Sequence, residues 1–186
     1  MAESMMLYHT SYQIIREPDV RYGRKNADFG QGFYLSAAGD FAGRWARERR
    51  GEQVYVNRYA LNLSGLTVHR FGRDGDWFDY IFANRRGRAD SLPKADVVIG
   101  PIANDTLYNT YGIFTSGLLE KEQALCLLQI GPCYEQIAIK TERAAAQLCW
   151  LEARVLSSEE LAAFRKAVEE EEAAYQAALA AAMEGM

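Results

Sequence analysis

Cysteine and histidine are scarce in this chain, and each scarcity removes a class of chemistry. Cys126, Cys133 and Cys149 are odd in number and include no Cys-x-x-Cys pair, so neither a disulfide framework nor a zinc site is indicated. His9 and His69 are too few and too far apart to suggest a ligand pair, and no bound metal is expected. No apolar run approaches membrane-spanning length, and residues 1–6 lack a basic segment followed by an apolar one. Neither a membrane span nor a signal peptide is therefore expected, and a reducing cytoplasm fits best. The formal net charge of −4 provides no overall basic field to attract nucleic acid.

What is present describes a soluble globular domain. The 186 residues suffice for one domain with a sizeable core, and 49% hydrophobic with 25% charged residues is the usual balance. Basic residues cluster twice, at Arg44, Arg47, Arg49 and Arg50 and again at Arg85, Arg86 and Arg88. Each cluster reads either as a solvated face or as a meeting point for phosphate.

The stretch from Asp28 to Ser36, Asp-Phe-Gly-Gln-Gly-Phe-Tyr-Leu-Ser, organises the chain. Gly30 and Gly32 allow backbone angles and close approaches that a Cβ would block. Phe33-Tyr34-Leu35 then reads as the start of a strand. A tight loop feeding a strand places one aromatic face at the edge of a pocket. Taken alone, the stretch reads more readily as a glycine turn before a core strand, with Tyr34 packed like any other tyrosine.

Met5–Ser11 reads as a short strand running into a polar turn, with His9 near its end. Asp40–Glu48 has helical spacing, with Asp40 as N-cap and Gly51 as stop. Val54–Leu63 is the clearest strand, and Leu66–Phe71 is a shorter one. Asp76–Arg85 is helical, and Ala95–Gly100 is a buried strand followed by a loop at Pro101–Asp105. Thr106–Ser116 is compatible with helix or loop, and Leu118–Ile130 is helical up to Gly131-Pro132. Cys133–Lys140 is a strand, Thr141–Leu148 a short helix, and Cys149–Leu156 a last strand. Ser157 and Glu160 have capping-box spacing and open an amphipathic helix from about Glu159 to Met183.

Three of these segments together resemble a known superfamily. Tyr8-His9-Thr10-Ser11, Gly32-Phe33-Tyr34-Leu35-Ser36 and the late strand Glu135–Ile139 resemble the three motifs of the His-Tyr-Glu class of ADP-ribosyltransferases. Further landmarks resemble a small, largely uncharacterised bacterial family of that superfamily. They are Trp45-Ala46, Asn84-Arg85, the run from Asp96 to Asp105, Gln136 and Thr141-Glu142-Arg143.

The resemblance implies an α+β fold with split antiparallel β-sheets forming an NAD cleft, flanking helices and a C-terminal amphipathic helix. An ADP-ribosyltransferase-like domain would occupy residues 1–156, with 157–186 as a helical extension rather than a second domain. NAD would be a substrate, cleaved at its nicotinamide–ribose bond with transfer of ADP-ribose to an acceptor. His9 would hydrogen-bond a ribose hydroxyl and the backbone of Thr10 would meet the nicotinamide amide. Tyr34 would stack on the nicotinamide ring, and the third-motif residue would hydrogen-bond the nicotinamide ribose. Ser11, Gly32, Phe33 and Ser36 would line the site, with Arg85, Asn104 and Asp105 shaping it. Arg85 would meet pyrophosphate or pair with Asp105, or else brace the loops through a partly buried ion pair. Arg24, Lys25 and Asn26 lie in the loop before Asp28 and share both readings.

Where the class carries a glutamate, this chain has Gln136 next to Glu135. Side chains alternate along a strand, so only one of the two faces the cleft. Motif position favours Gln136, which has no carboxylate charge and cannot act as a base. Two alternatives follow: an NAD- or nucleotide-binding module with little or no catalysis, and an interaction protein acting through its C-terminal helix. The resemblance also implies a toxin-like effector held by a small antitoxin-like partner. The acceptor, macromolecule or small molecule, is not specified, and a homo-oligomer is left open.

Overall fold

The computed structural model describes residues 4–103 and 119–184. Within them the chain is an α+β protein built on two mostly antiparallel sheets. The first joins β1 (Ser4–Ser11), β3 (Tyr55–Asn62) and β7 (Leu148–Val155), in the order β1-β3-β7. The second joins β2 (Phe33–Leu35), β6 (Glu135–Ile139), β5 (Val97–Pro101) and β4 (Val68–Arg70), in the order β2-β6-β5-β4. One pair, β4 with β5, is parallel. A parallel pair needs a crossover, and α2 (Gly75–Arg85) lies on it.

Alternation along the strands sorts the core into two layers. Val97 and Ile99 of β5 and Ile137 and Ile139 of β6 meet Leu7, Tyr59, Leu61 and Leu148 between the sheets. Val98 and Ala138, one residue out of phase, face Trp77, Phe78 and Ile81 of α2 and Leu127 and Leu128 of α3 (Lys121–Leu128). Among the described residues one backbone bridge also links the sheets, Tyr8 with Ser36, closed by two hydrogen bonds of 2.8 and 2.9 Å.

The glycine loop forms as its residues demand. Gly30 has φ +73°, and a Cβ on Gly32 would lie 2.6 Å from the Ile139 carbonyl oxygen. The strand and helix expectations elsewhere fall within a few residues of the observed bounds, with one clear correction. The helix expected over Asp40–Glu48 is a single turn, α1 (Gly39–Ala42), followed by a 3-10 turn at Gly43–Trp45. Asp40 is not its cap, and the backbone is extended again at Ala46. The Arg47 guanidinium donates to the Arg44 and Ala46 carbonyls at 2.9 and 3.0 Å, and the first of these is one a continuing helix would use. The Thr106–Ser116 expectation lies outside the described residues.

After the one-turn α4 (Glu142–Ala145) and β7, the chain ends in α5 (Ser158–Glu184). Its capping box is formed: Glu160 N–H donates to Ser157 Oγ at 3.1 Å, and Ser157 N–H donates to the Glu160 carboxylate at 2.9 Å. α5 does more than cover the surface. Tyr175 and Leu179 are 2% and 3% exposed and belong to the core layer around α2 and α3. No helix of the described residues is long and apolar enough to cross a membrane.

Truncating Leu179 to alanine is expected to cost about 2–5 kcal/mol by the transfer and cavity terms together. Urea unfolding reads this directly. A loss below 1 kcal/mol would show that α5 merely rests on the domain.

Candidate functional site

A cavity of about 310 Å³ opens beside the junction of the two sheets. Its lining converges from separate parts of the chain. Tyr8, His9 and Thr10 come from β1, Tyr34, Leu35 and Ser36 from β2 and its end, and Gln136 from β6. Arg24, Asn26, Ala27 and Asp28 come from the glycine-loop approach, Phe41, Ala42 and Trp45 from the α1 segment, and Ile102 follows β5.

The β-sheet register explains why Tyr34 and Gln136 share it. Tyr34 lies opposite Ala138, and Gln136 stands two residues along the same strand, on the same face. Glu135, one residue out of phase, is exposed and off the cavity. Of the two third-motif candidates, Gln136 faces inward.

Each inward side chain is held. Tyr34 hydroxyl donates to the Gly30 carbonyl at 2.7 Å and accepts from Phe29 N–H at 2.9 Å. Burial and the neighbouring Asp28 carboxylate push its pKa well above that of an ordinary phenol, so Tyr34 offers a neutral ring. His9 Nδ1 lies 2.7 Å from the Tyr34 carbonyl oxygen, which can only accept, so Nδ1 carries the proton. Burial lowers the His9 pKa below 6.5, outweighing that hydrogen bond. The imidazole is therefore neutral with Nε2 free to accept. Thr10 hydroxyl donates to the Ala42 carbonyl and ties β1 to α1. Ser36 Oγ accepts from Ala38 N–H at 3.1 Å.

Beneath this lining lies a buried polar centre. Asp28 Oδ1 accepts from Arg85 Nε at 2.9 Å and pairs with Arg85 Nη2 at 2.8 Å; the two side chains are 6% and 3% exposed. Asp28 Oδ2 accepts from Gln136 Nε2 at 3.0 Å and Ala103 N–H at 3.3 Å. The Asn84 amide donates to the Asp28 carbonyl at 3.1 Å.

Several expected site residues sit elsewhere. Arg85 does not line the cavity; its guanidinium is buried and pairs with Asp28. Of the readings open for it, the buried brace is realised with Asp28 as partner, and the pairing with Asp105 lies outside the described residues. Ser11 lies off the cavity, its Oγ accepting from Gln13 N–H at 3.2 Å. Phe33 turns into the inter-sheet core, its ring centroid 4.5 Å from that of His9, and Gly32 is pressed against β6. Asn104 and Asp105 lie outside the described residues. Sequence reasoning assigned no role to Asp28, Phe41, Trp45 or Ile102. Asp28 opens the glycine motif, but its partner stands 57 residues later and no spacing rule links them. Among the described residues, no group of three or more His, Cys, Asp or Glu side chains is arranged to hold a metal ion.

Fold and site together define an α+β domain with an aromatic, partly polar cavity at a sheet junction. The chain belongs to a family described as proteins of unknown function (DUF3990), whose model matches residues 5–150. No curated protein and no solved structure matches it.

The His9 environment gives a pH test. A base with a depressed folded pKa contributes stability that is complete above its unfolded value of 6.5 and is lost as pH falls. The stability gap between wild type and His9→Asn, which keeps a donor for the Tyr34 carbonyl, should shrink as pH drops from 6.5 to 5. A gap independent of pH would mean His9 is not held neutral.

Proposed function

We propose that this protein is an NAD-dependent mono-ADP-ribosyltransferase that cleaves the nicotinamide–ribose bond within this cavity. The observation that carries the reading is the convergence of His9, Tyr34 and Gln136, from three separated strands, on one cavity with aromatic walls. These are the residues of the three motifs that resemble the His-Tyr-Glu class. Aromatic walls suit a flat cationic ring such as nicotinamide in NAD. Fixed acceptors, here His9 Nε2 and Gln136 Oε1, suit ribose hydroxyls. Cleavage develops oxocarbenium character on the ribose, and preorganised acceptors stabilise that charge without rearranging.

A cavity of about 310 Å³ matches the nicotinamide riboside half, at the lower end of the range for small-molecule sites. The rest of the dinucleotide runs outward past Arg24. Arg24 is exposed, lines the cavity and makes no ion pair among the described residues. It takes the pyrophosphate role that Arg85, buried on Asp28, does not fill.

A second reading has its own support. Among the described residues, the one acidic side chain in the lining is Asp28, and its oxygens are occupied by Arg85, Gln136 and Ala103. That favours an NAD-binding module with slow or no turnover, or an acceptor that is already nucleophilic. The acceptor, any small protein partner and a toxin-like role stand as parts of the proposal.

Calorimetry with NAD, followed by chromatography for released nicotinamide, tests both readings. Binding with release supports the transferase, and Tyr34→Ala should abolish the release. Binding without release across many acceptors supports the module, and no binding overturns both. Arg24→Ala should weaken NAD about tenfold, roughly 1.4 kcal/mol, with stability unchanged.

A further inference from the structure

Gln136 is an amide whose two ends are not interchangeable here. Its Nε2 lies 3.0 Å from Asp28 Oδ2 and 3.4 Å from the Pro101 carbonyl oxygen, and both are acceptors. Only N–H groups satisfy that side, so the assignment of nitrogen and oxygen follows from the partners. Oε1 has no partner among the described residues and is not sealed from solvent, which leaves it facing the cavity that Gln136 lines. The Asp28 carboxylate is in turn fixed by Arg85 and Ala103 N–H.

We propose that Asp28 is a positioning residue that locks the Gln136 amide with Oε1 offered to the ligand, so that residues 28 and 136 work as an acid–amide pair. The pair explains why an amide stands at 136. A carboxylate there would put its oxygen against Asp28 Oδ2 and the Pro101 carbonyl, three acceptors with no proton between them. Among the described residues, charged or titratable groups around the pair are Arg85 from α2, Tyr34 from β2, Arg24 from the loop, His9 from β1 and Lys140, whose ammonium donates to the Phe29 carbonyl and pairs with Asp90. The identity of the ligand rests on the transferase or binding reading above, whereas the pairing itself does not.

The test uses the full chain with Q136E, D28N and the exchanged double variant D28N/Q136E. In Q136E the new carboxyl is driven to keep its proton, so its folded pKa is raised. Its stability penalty should be small at pH 4 and grow as pH rises to 8. In the double variant the amide and acid have traded places, so the melting-temperature gap to wild type should lose that pH trend. A penalty in Q136E that is flat with pH, or an equal trend in the double variant, overturns the pairing. If Q136E is unfolded throughout the range, the double variant decides: folded supports the pair, unfolded overturns it.

The ligand arm measures NAD affinity by calorimetry. D28N turns an N–H toward Gln136 Nε2, flips the amide and should raise the dissociation constant at least tenfold, with partial recovery in D28N/Q136E. D28N affinity within twofold of wild type, or no recovery, overturns the positioning role. Wild type that binds no NAD sinks the functional reading instead, and the melting-temperature arm still decides the pair.

Discussion

The buried ion pair between Asp28 and Arg85 is the constraint on which the site depends. Taking both charges out of water is expensive, and their attraction offsets this only when the remaining lone pairs are satisfied. Here they are: the carboxylate accepts from Arg85 Nε, a backbone N–H and the Gln136 amide, with Arg85 Nη2 beside it as an ion-pair contact. Those four contacts come from α2, the turn after β5, and β6. One carboxylate thus registers three elements against the glycine loop, and a shift in any of them would strand a buried charge. Asn84, one residue before Arg85, holds the Asp28 carbonyl and fixes the backbone from which the carboxylate projects.

From that centre the rest of the lining follows by alternation. Gln136 and Ala138 share one face of β6, Ile137 and Ile139 the other. The apolar demand of the inter-sheet core fixes the strand's phase, and the phase delivers Gln136 to the cavity and Glu135 to solvent. A slip of one residue would turn Ile137 and Ile139 out of the inter-sheet core and bring Glu135 to the inward position of Gln136. In the proposed reaction the third acceptor is therefore neutral. Stabilisation of a developing ribose cation falls to oriented dipoles, with the net charge of Asp28 balanced by Arg85.

Much of this was legible in the sequence, and the reasons differ by element. Strands with β-branched and aromatic alternation, such as Tyr55–Asn62, and the capped helix at Ser158 declare themselves locally. The His9 and Tyr34 segments were legible because short motifs carry them. The readings for Arg85 stay open in the sequence because an arginine's partner is a matter of tertiary contact, and a guanidinium reads the same whether it meets phosphate or carboxylate. The Asp40–Glu48 helix was over-read for a related reason. Its spacing is helical, but Gly43 packs closely against Phe164, and a Cβ there would come within 2.3 Å of that ring.

That contact matters for the cavity itself. Phe41 and Trp45 wall it, and they sit on a segment too short to be stable as an isolated helix. α5 holds the segment in place. Glu171 pairs with Arg44 and accepts from the Tyr134 hydroxyl at 2.9 Å, while the Phe41 ring stacks on Tyr134 with centroids 4.2 Å apart. The family match ends at residue 150, before α5 begins. The shape of one cavity wall in this chain is therefore set by a helix outside the matched region. Glu171 and Phe164, remote from any motif, bear on the cavity wall in two ways: Glu171 through Tyr134 and Arg44, and Phe164 through its contact with Gly43.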